Sequence, residues 1–208
     1  MSEVVRAWVW GWSLCRDSAS PVAEPDGFRI DVAKPGHRVR YVLPGADSVR
    51  ERAAALSAPG TWLKVCAPRE QVLPRLTEPW LAVEPEYLMS LHLPGTPAPA
   101  APAGYSVSLE PTRGYHELVV RAPDGGLAAH GRFAVHERTA TVDQVWTDPA
   151  HRRRGLGRVV MGGLADRALG LGAAKAVLVS TVVGRQLYES LSWRVESEVT
   201  AAHLPEPH

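Results

Sequence analysis

Residues 147–160 read TDPAHRRRGLGRVV: three consecutive arginines, Arg152, Arg153 and Arg154, then Gly155, Leu156 and Gly157, then Arg158 and an apolar run. Asp-Pro followed by Arg-x-x-Gly-x-Gly at a helix start is a phosphate-binding arrangement. Free N–H groups in the first turn point at the ligand, and the helix dipole favours an anion there. Gly155 and Gly157 let the main chain approach without a Cβ in the way, and the arginines add charge-assisted contacts to phosphate oxygens. The same residues also fit a helix start decorated with solvated arginines, so the flanking sequence decides. A dinucleotide fingerprint needs Gly-x-Gly-x-x-Gly with an acid about 20 residues on, and a Walker loop needs Gly-Lys-Ser/Thr. This loop is neither.

Downstream, STVVGRQLYESLSW carries Thr181, Gly184, Leu187, Tyr188, Ser192 and Trp193. Together with VWTDPAHRRRGLG it resembles the GNAT superfamily of acyl-CoA N-acyltransferases, over roughly residues 105–205. That family carries Arg/Gln-x-x-Gly-x-Gly/Ala after its fourth strand and, further on, Asn-x-x-Ala-x-x-Leu-Tyr-x-x-x-Gly-Phe/Trp. Thr181 for Asn, Gly184 for Ala and Ser192 for Gly are departures.

The resemblance implies acetyl-CoA as co-substrate, a primary amine of a small molecule or protein as acceptor, direct attack on the thioester, and no metal. It implies that Arg152–Gly157 cradle the coenzyme A pyrophosphate through their backbone, with Arg153 and Arg154 as charge partners. Leu156, Arg158 and Thr181 complete that cofactor set. Val145, Trp146 and Thr147, on a strand that splays from its neighbour, match the positions whose free amides meet the pantetheine and the thioester oxygen. Tyr188 matches the tyrosine that protonates the departing thiolate; a phenol of ordinary pKa about 10 keeps its proton at neutral pH. An amine is protonated there too, so a base is needed. Asp143, on the same strand face as Val145 and Thr147, is the first choice, with His130 and His136 on the preceding strand behind it. The departures leave a non-catalytic acyl-CoA-binding or regulatory module as the alternative.

The elements that must position these groups are legible. Two strand-like runs flank Pro-Asp-Gly-Gly in YHELVVRAPDGGLAAHGRFAVHER, a hairpin, and residues 139–149 alternate as a further strand. Residues 155–171 carry a helical stripe through Leu156, Val159, Val160, Leu164, Ala168 and Leu171. A buried strand at 175–181, a helix at 182–191 with Val183, Leu187 and Leu191 in a row, and a final strand follow. The order β-β-β-α-β-α-β predicts an α/β protein with a mixed sheet. YSVSLEP supplies a first strand, but no room follows it for the two helices that the superfamily places there.

PGTPAPAAPAG, residues 94–104, reads as a semi-rigid spacer and divides the chain into 1–93 and 105–208. The first unit resembles a smaller, degenerate copy of the second: residues 65–94 and 179–205 both run strand, helix, Trp-opened strand and His-Leu-Pro. It has no arginine-glycine loop, so only the second copy could hold the cofactor. The first half is expected to pack where the missing helices would sit. Trp8, Trp10 and Trp12 of WVWGWSLCRD, read as one face of a strand, would line the acceptor cleft or fill the core between the units.

Bulk composition sets the frame. The chain has 208 residues, is 45% hydrophobic and has a net charge of +1, so no broad basic face holds nucleic acid. Two cysteines, Cys15 and Cys66, exclude a disulfide scaffold and a cysteine-rich metal site. The N-terminus has an acid at position 3 and an apolar stretch too short and too Trp-rich for a signal peptide, and no apolar run reaches membrane-spanning length. A cytoplasmic monomer or homodimer, acting on a small-molecule or protein amine and not on membranes or nucleic acid, is the expectation.

Overall fold

The computed structural model describes residues 3–93 and 95–206. Its first element is a helix, α1 (Glu3–Cys15), which corrects the strand reading of Trp8, Trp10 and Trp12. Aromatic residues favour strands, but Val5, Trp8, Val9 and Trp12 repeat at helical spacing and form the buried face. Trp10 points elsewhere and stacks on His136 with ring centroids 4.9 Å apart.

In the first half, β1 (Val22–Glu24), β2 (Gly27–Lys34) and β3 (His37–Leu43) form an antiparallel meander. α2 (Val49–Ala55) then crosses to β4 (Thr61–Val65), which runs parallel to β3. The short α3 (Arg69–Val72), β5 (Leu81–Ala82) and β6 (Glu86–His92) follow. The second half follows the expected order. β7 (Ser106–Pro111), β8 (His116–Arg121), β9 (Leu127–His136) and β10 (Thr139–Thr147) are successive antiparallel strands. α4 (Leu156–Gly170) crosses to β11 (Lys175–Thr181), parallel to β10, and α5 (Val182–Glu189) leads to β12 (Arg194–His203).

These strands form one mixed sheet in the order β1-β2-β3-β4-β12-β6-β11-β10-β9-β8-β7, with β5 beside β12. The division into units 1–93 and 105–208 therefore does not describe the packing. β6, from the first half, inserts between β11 and β12 and pairs antiparallel with both. β12 continues past it, and from Thr200 onward pairs with β4. Each half has a parallel strand pair bridged by a helix, and each sends its last long strand to the open edge of the other's pair. One connectivity is thus repeated around the β6–β12 contact.

The seam between the halves is not a free spacer. Its first residue, Pro94, lies outside the described residues; the remainder has no regular structure and lies along α4. Pro99 fills the space that a side chain at Gly162 would need, and Ala101 packs on the core beneath. α4 covers one face of the second half. α1 covers the other, close enough that Thr141 Oγ1 donates to Ala7 O at 2.9 Å and no Cβ fits at Gly11. Under α1, Trp8 and Trp12 meet Phe28 and Ile30 of the first half together with Leu88, Val177 and Val199 of the central strands. A core shared in this way ties the halves together; truncating one such Trp to Ala would cost about 3–5 kcal/mol. Among the described residues no helix is long and apolar enough to cross a membrane.

Candidate active site

The site begins where β10 leaves β11. Their parallel pairing runs from Thr139↔Lys175 to Thr141↔Val177 and goes no further. Gln144 sits at φ +53°, and the register of β10 against β9 shifts between Asp143 and Trp146. An inserted residue of this kind bends a strand and re-aims its side chains. Past Thr141 the edge of β10 that faced β11 has no ladder partner there, as the splay implied for the amides of Val145, Trp146 and Thr147. The bulge also corrects the placement of Asp143 on one face with Val145 and Thr147. Alternation breaks at Gln144, so Asp143 faces one cavity, Trp146 and Thr147 face another, and Val145 borders both.

The larger cavity holds about 810 Å³ and is lined by Val145, Trp146, Thr147, Arg152, Arg153, Gly155, Leu156, Gly157, Arg158 and Thr181, together with Val183 and Leu187 of α5. Arg154 is the exception in the expected set: it turns away, donating to the Tyr105 hydroxyl at 2.9 Å and to Ala150 O at 3.3 Å. Gly155 caps α4 at φ +80°, a left-handed conformation that glycine adopts without strain. Gly157 has a part beyond the one its motif suggested. A Cβ there would lie 3.0 Å from Leu187 Cδ2, so Gly157 lets α4 pack on α5.

Thr181 caps α5, its Oγ1 accepting the Gly184 N–H at 3.1 Å, which explains how Thr replaces Asn in the second motif. Ser192 adopts φ +66°, the conformation for which the family uses glycine. The expected stripe on α5 is divided: Leu187 and Leu191 pack against the core beside the buried Tyr188, whereas Val183 is 85% exposed on the ligand side. Free first-turn amides on α4 and the guanidinium groups of Arg152, Arg153 and Arg158 suit a diphosphate. The exposed Trp146 and Val183 suit an apolar arm beside it. The chemistry of the larger cavity therefore fits coenzyme A.

The smaller cavity, about 280 Å³, shares Val145, Thr181 and Gly184 with the larger one. Its walls come from both halves: Trp8, Trp12 and Arg16 at α1, Arg40 of β3, Lys64 of β4, Glu86 of β6, Asp143 of β10 and Tyr188 of α5. Trp8 and Trp12 thus serve both core and cleft. Asp143 accepts two hydrogen bonds from Arg16, from Nε and from Nη2, the latter at 3.0 Å. Lys64 pairs with Glu86; its burial, with Arg40 nearby, lowers its pKa to about 8.

Arg40 is 8% exposed, and its guanidinium lies 3.7 Å over the Trp12 ring. Burial pulls Arg40 down to about 9, which still leaves it charged at neutral pH. Burial and the adjacent cations push His37 down to about 3, so its neutral Nε2 accepts the Arg40 Nε–H at 3.2 Å. Burial, then the Asp143 charge, raises Tyr188 to about 12. The other base candidates lie outside both cavities. His130 Nδ1 is 3.2 Å from Glu117 Oε1, and His136 lies against Trp10. Among the described residues no three His, Cys, Asp or Glu side chains converge on a metal position.

Arg16, Arg40, Lys64 and Glu86 were not singled out from the sequence. The signal for Arg40 was present, because alternation in HRVRYVL puts it on the same strand face as the buried Val42. A charge at a core position marks either a paired structural group or a site. The contributions of Arg16 and Glu86 depend on the strand exchange and on α1 crossing the second half, which no local pattern encodes.

The model of the Acetyltransferase (GNAT) family matches residues 81–193. No curated protein matches the sequence. Among solved structures, a GCN5-related N-acetyltransferase from Kribbella flavida superposes with a TM-score of 0.66 at 18% identity, covering 100% of this chain and 98% of that one. An acetyltransferase of the GNAT family from Novosphingobium aromaticivorans gives 0.59 at 22% identity, with 100% of both chains covered. A tandem GNAT protein from the clavulanic acid biosynthesis pathway gives 0.54 at 12% identity, covering 76% of this chain and 68% of that one. At these identities the likeness is one of fold.

Proposed function

The chain belongs to the acetyltransferase (GNAT) family, and from that premise we propose that it transfers an acetyl group from acetyl-CoA to a primary amine by direct attack on the thioester. The observation that carries this reading is the junction of the two cavities at Val145, Thr181 and Gly184, beside the β10–β11 splay. A cofactor entering from the arginine side and an amine entering from the α1 side would meet there. The activated acyl carbon comes from the bound thioester. The protein anchors the diphosphate with Arg152, Arg153, Arg158 and the first turn of α4, and turns free amides of β10 toward the carbonyl oxygen.

Asp143, oriented by Arg16, takes a proton from the incoming ammonium and passes it to solvent; each of its oxygens keeps a lone pair for this. The neutral nitrogen then forms the new C–N bond as the C–S bond breaks. Tyr188 gives its proton to the departing thiolate and is restored by the second proton leaving nitrogen. Its high pKa keeps it a donor throughout the neutral range.

Thiol release from acetyl-CoA across a panel of amines, paired with thermal shift by coenzyme A, tests the proposal. Stabilisation together with amine-dependent thiol release supports it. Stabilisation with no thiol release on any amine would instead make the chain an acyl-CoA-binding module. A cytoplasmic setting accords with two buried free thiols, Cys15 and Cys66.

A further inference from the structure

The smaller cavity does not balance its charges. Arg16 is matched by Asp143 and Lys64 by Glu86. Arg40 forms no ion pair with a carboxylate among the described residues, although it lines the same cavity and is the most enclosed of the three cations after Lys64. Its protein partners are a neutral imidazole on Nε and the Trp12 ring face, and neither carries a negative charge. Buried cations are ordinarily matched by an anion, because water no longer solvates them. Glu86 and Asp143 on the same cavity favour its charge from a distance, but each is paired elsewhere and neither forms an ion pair with Arg40. His37 and Trp12 fix the guanidinium plane and leave its terminal nitrogens turned to the cavity.

Resting on the acetyltransferase reading above, we infer that Arg40 is the receptor for a carboxylate on the acceptor, so that the amine acetylated belongs to an amino acid or a similarly compact amino-carboxylate. The cavity presents both complements of such a molecule. Asp143 faces it from β10 on the side of Tyr188, suited to the ammonium, and Arg40 faces it from β3, suited to the carboxylate. A guanidinium binds a carboxylate through two parallel N–H bonds, and no ammonium reproduces that geometry. A cavity of about 280 Å³ is of the size for a single small molecule. A polyamine would bring more positive charge to Arg40, which the cavity opposes.

The test compares matched acceptors: the common amino acids, their carboxamides, the decarboxylated amines and aminoalkyl phosphates, each with acetyl-CoA and thiol detection. Binding of the corresponding N-acetyl amino acids and N-acetyl carboxamides to coenzyme A-loaded protein is measured alongside. Carboxylates are expected to exceed their carboxamides by about 100-fold in kcat/KM, the scale of a desolvated charge pair. In Arg40→Gln that ratio should collapse to within about 3-fold while coenzyme A affinity holds; a ratio is insensitive to the fraction of folded enzyme. Arg40→Lys should restore only part of it.

Equal or better turnover of carboxamides or decarboxylated amines overturns the inference, and so does a preference for the phosphates. Failure of every N-acetyl amino acid to bind overturns it as well. Carboxylate-selective binding without thiol release from any amine would keep Arg40 as a carboxylate receptor and sink the acetyltransferase reading instead.

Discussion

Arg16, just past the end of α1, holds Asp143 of β10 by two hydrogen bonds across 127 residues of sequence. The pair fixes the N-terminal helix to the strand that splays, and it sets a carboxylate in the cavity that Tyr188 also borders. The proposed mechanism gives the pair two roles, tether and base, and they separate by mutation. Asp143→Asn should lower kcat by about 100-fold or more, the usual scale for a lost acid–base group. Arg16→Gln breaks the same pair but leaves the carboxylate, so its loss in kcat should be several times smaller. Both should lose about 1–2 kcal/mol of stability in urea denaturation, since the pair is partly solvated. Equal losses in kcat would leave Asp143 as tether alone.

Tyr188→Phe should reduce kcat by about 100-fold with little change in coenzyme A affinity, because in the proposed mechanism the hydroxyl acts on the leaving thiolate, while the ring remains in the core. Its titration has a second consequence. The folded pKa, about 12, lies above the ordinary phenol value, so the folded state holds this proton more tightly than the unfolded chain. The associated stability is complete below about pH 10 and is lost as pH rises toward about 12. Alkaline denaturation of Tyr188→Phe should therefore fall less steeply across that window than the native protein's.

The three adjacent arginines should differ. Arg152→Ala and Arg153→Ala should each weaken coenzyme A about 10-fold by calorimetry, less at high salt, as expected for lost charge-assisted phosphate contacts. Arg154→Ala should leave affinity within about 2-fold, because that side chain is engaged with Tyr105 and Ala150. A uniform loss across all three would mean that the loop works as a diffuse cation and not through placed groups.

Most of the second half could be read from sequence, because its signals are local. The hairpin turn, the stripe on α4 and the arginine-glycine loop each specify their own neighbourhood. Tyr188 and Thr181 followed from the spacing of the second motif. What could not be read is what long-range pairing decides. Nothing in EYLMSLH shows that it will pair with KAVLVST and not with its own half. α1 was misread because alternating tryptophans mimic a strand, while the helical spacing of Val5, Trp8, Val9 and Trp12 lay beneath. Gly157 lines the larger cavity and also serves helix packing, a second part that its motif position did not reveal, and the bulge at Gln144 left no mark that alternation alone would reveal.

Ser192→Gly should stabilise the protein. A side chain at φ +66° costs about 1–2 kcal/mol, and glycine's greater chain entropy takes back about 0.5–1 kcal/mol. A net gain of about 0.5–1 kcal/mol in urea denaturation is expected, with kcat unchanged. The departure from the family glycine would then be a cost in stability that the fold tolerates.

A fragment of residues 105–208 contains both sequence motifs and the whole larger cavity, yet it should not fold into a working cofactor site. Without the first half, β11 loses the seven-residue ladder to β6 and β12 loses partners along its whole length, to β6 and then to β4. Two hydrophobic strand edges would be exposed at the centre of what had been a continuous sheet, and such edges drive aggregation. Removing α1 at the same time uncovers Val177 and Val199. The fragment is expected to be insoluble or to show no thermal stabilisation by coenzyme A. Adding residues 1–104 as a separate chain during refolding should restore both, since the missing strand and helix can dock from outside. A soluble fragment that binds coenzyme A as the full chain does would show that the strand exchange joins two self-sufficient units and that the shared core adds nothing to the site.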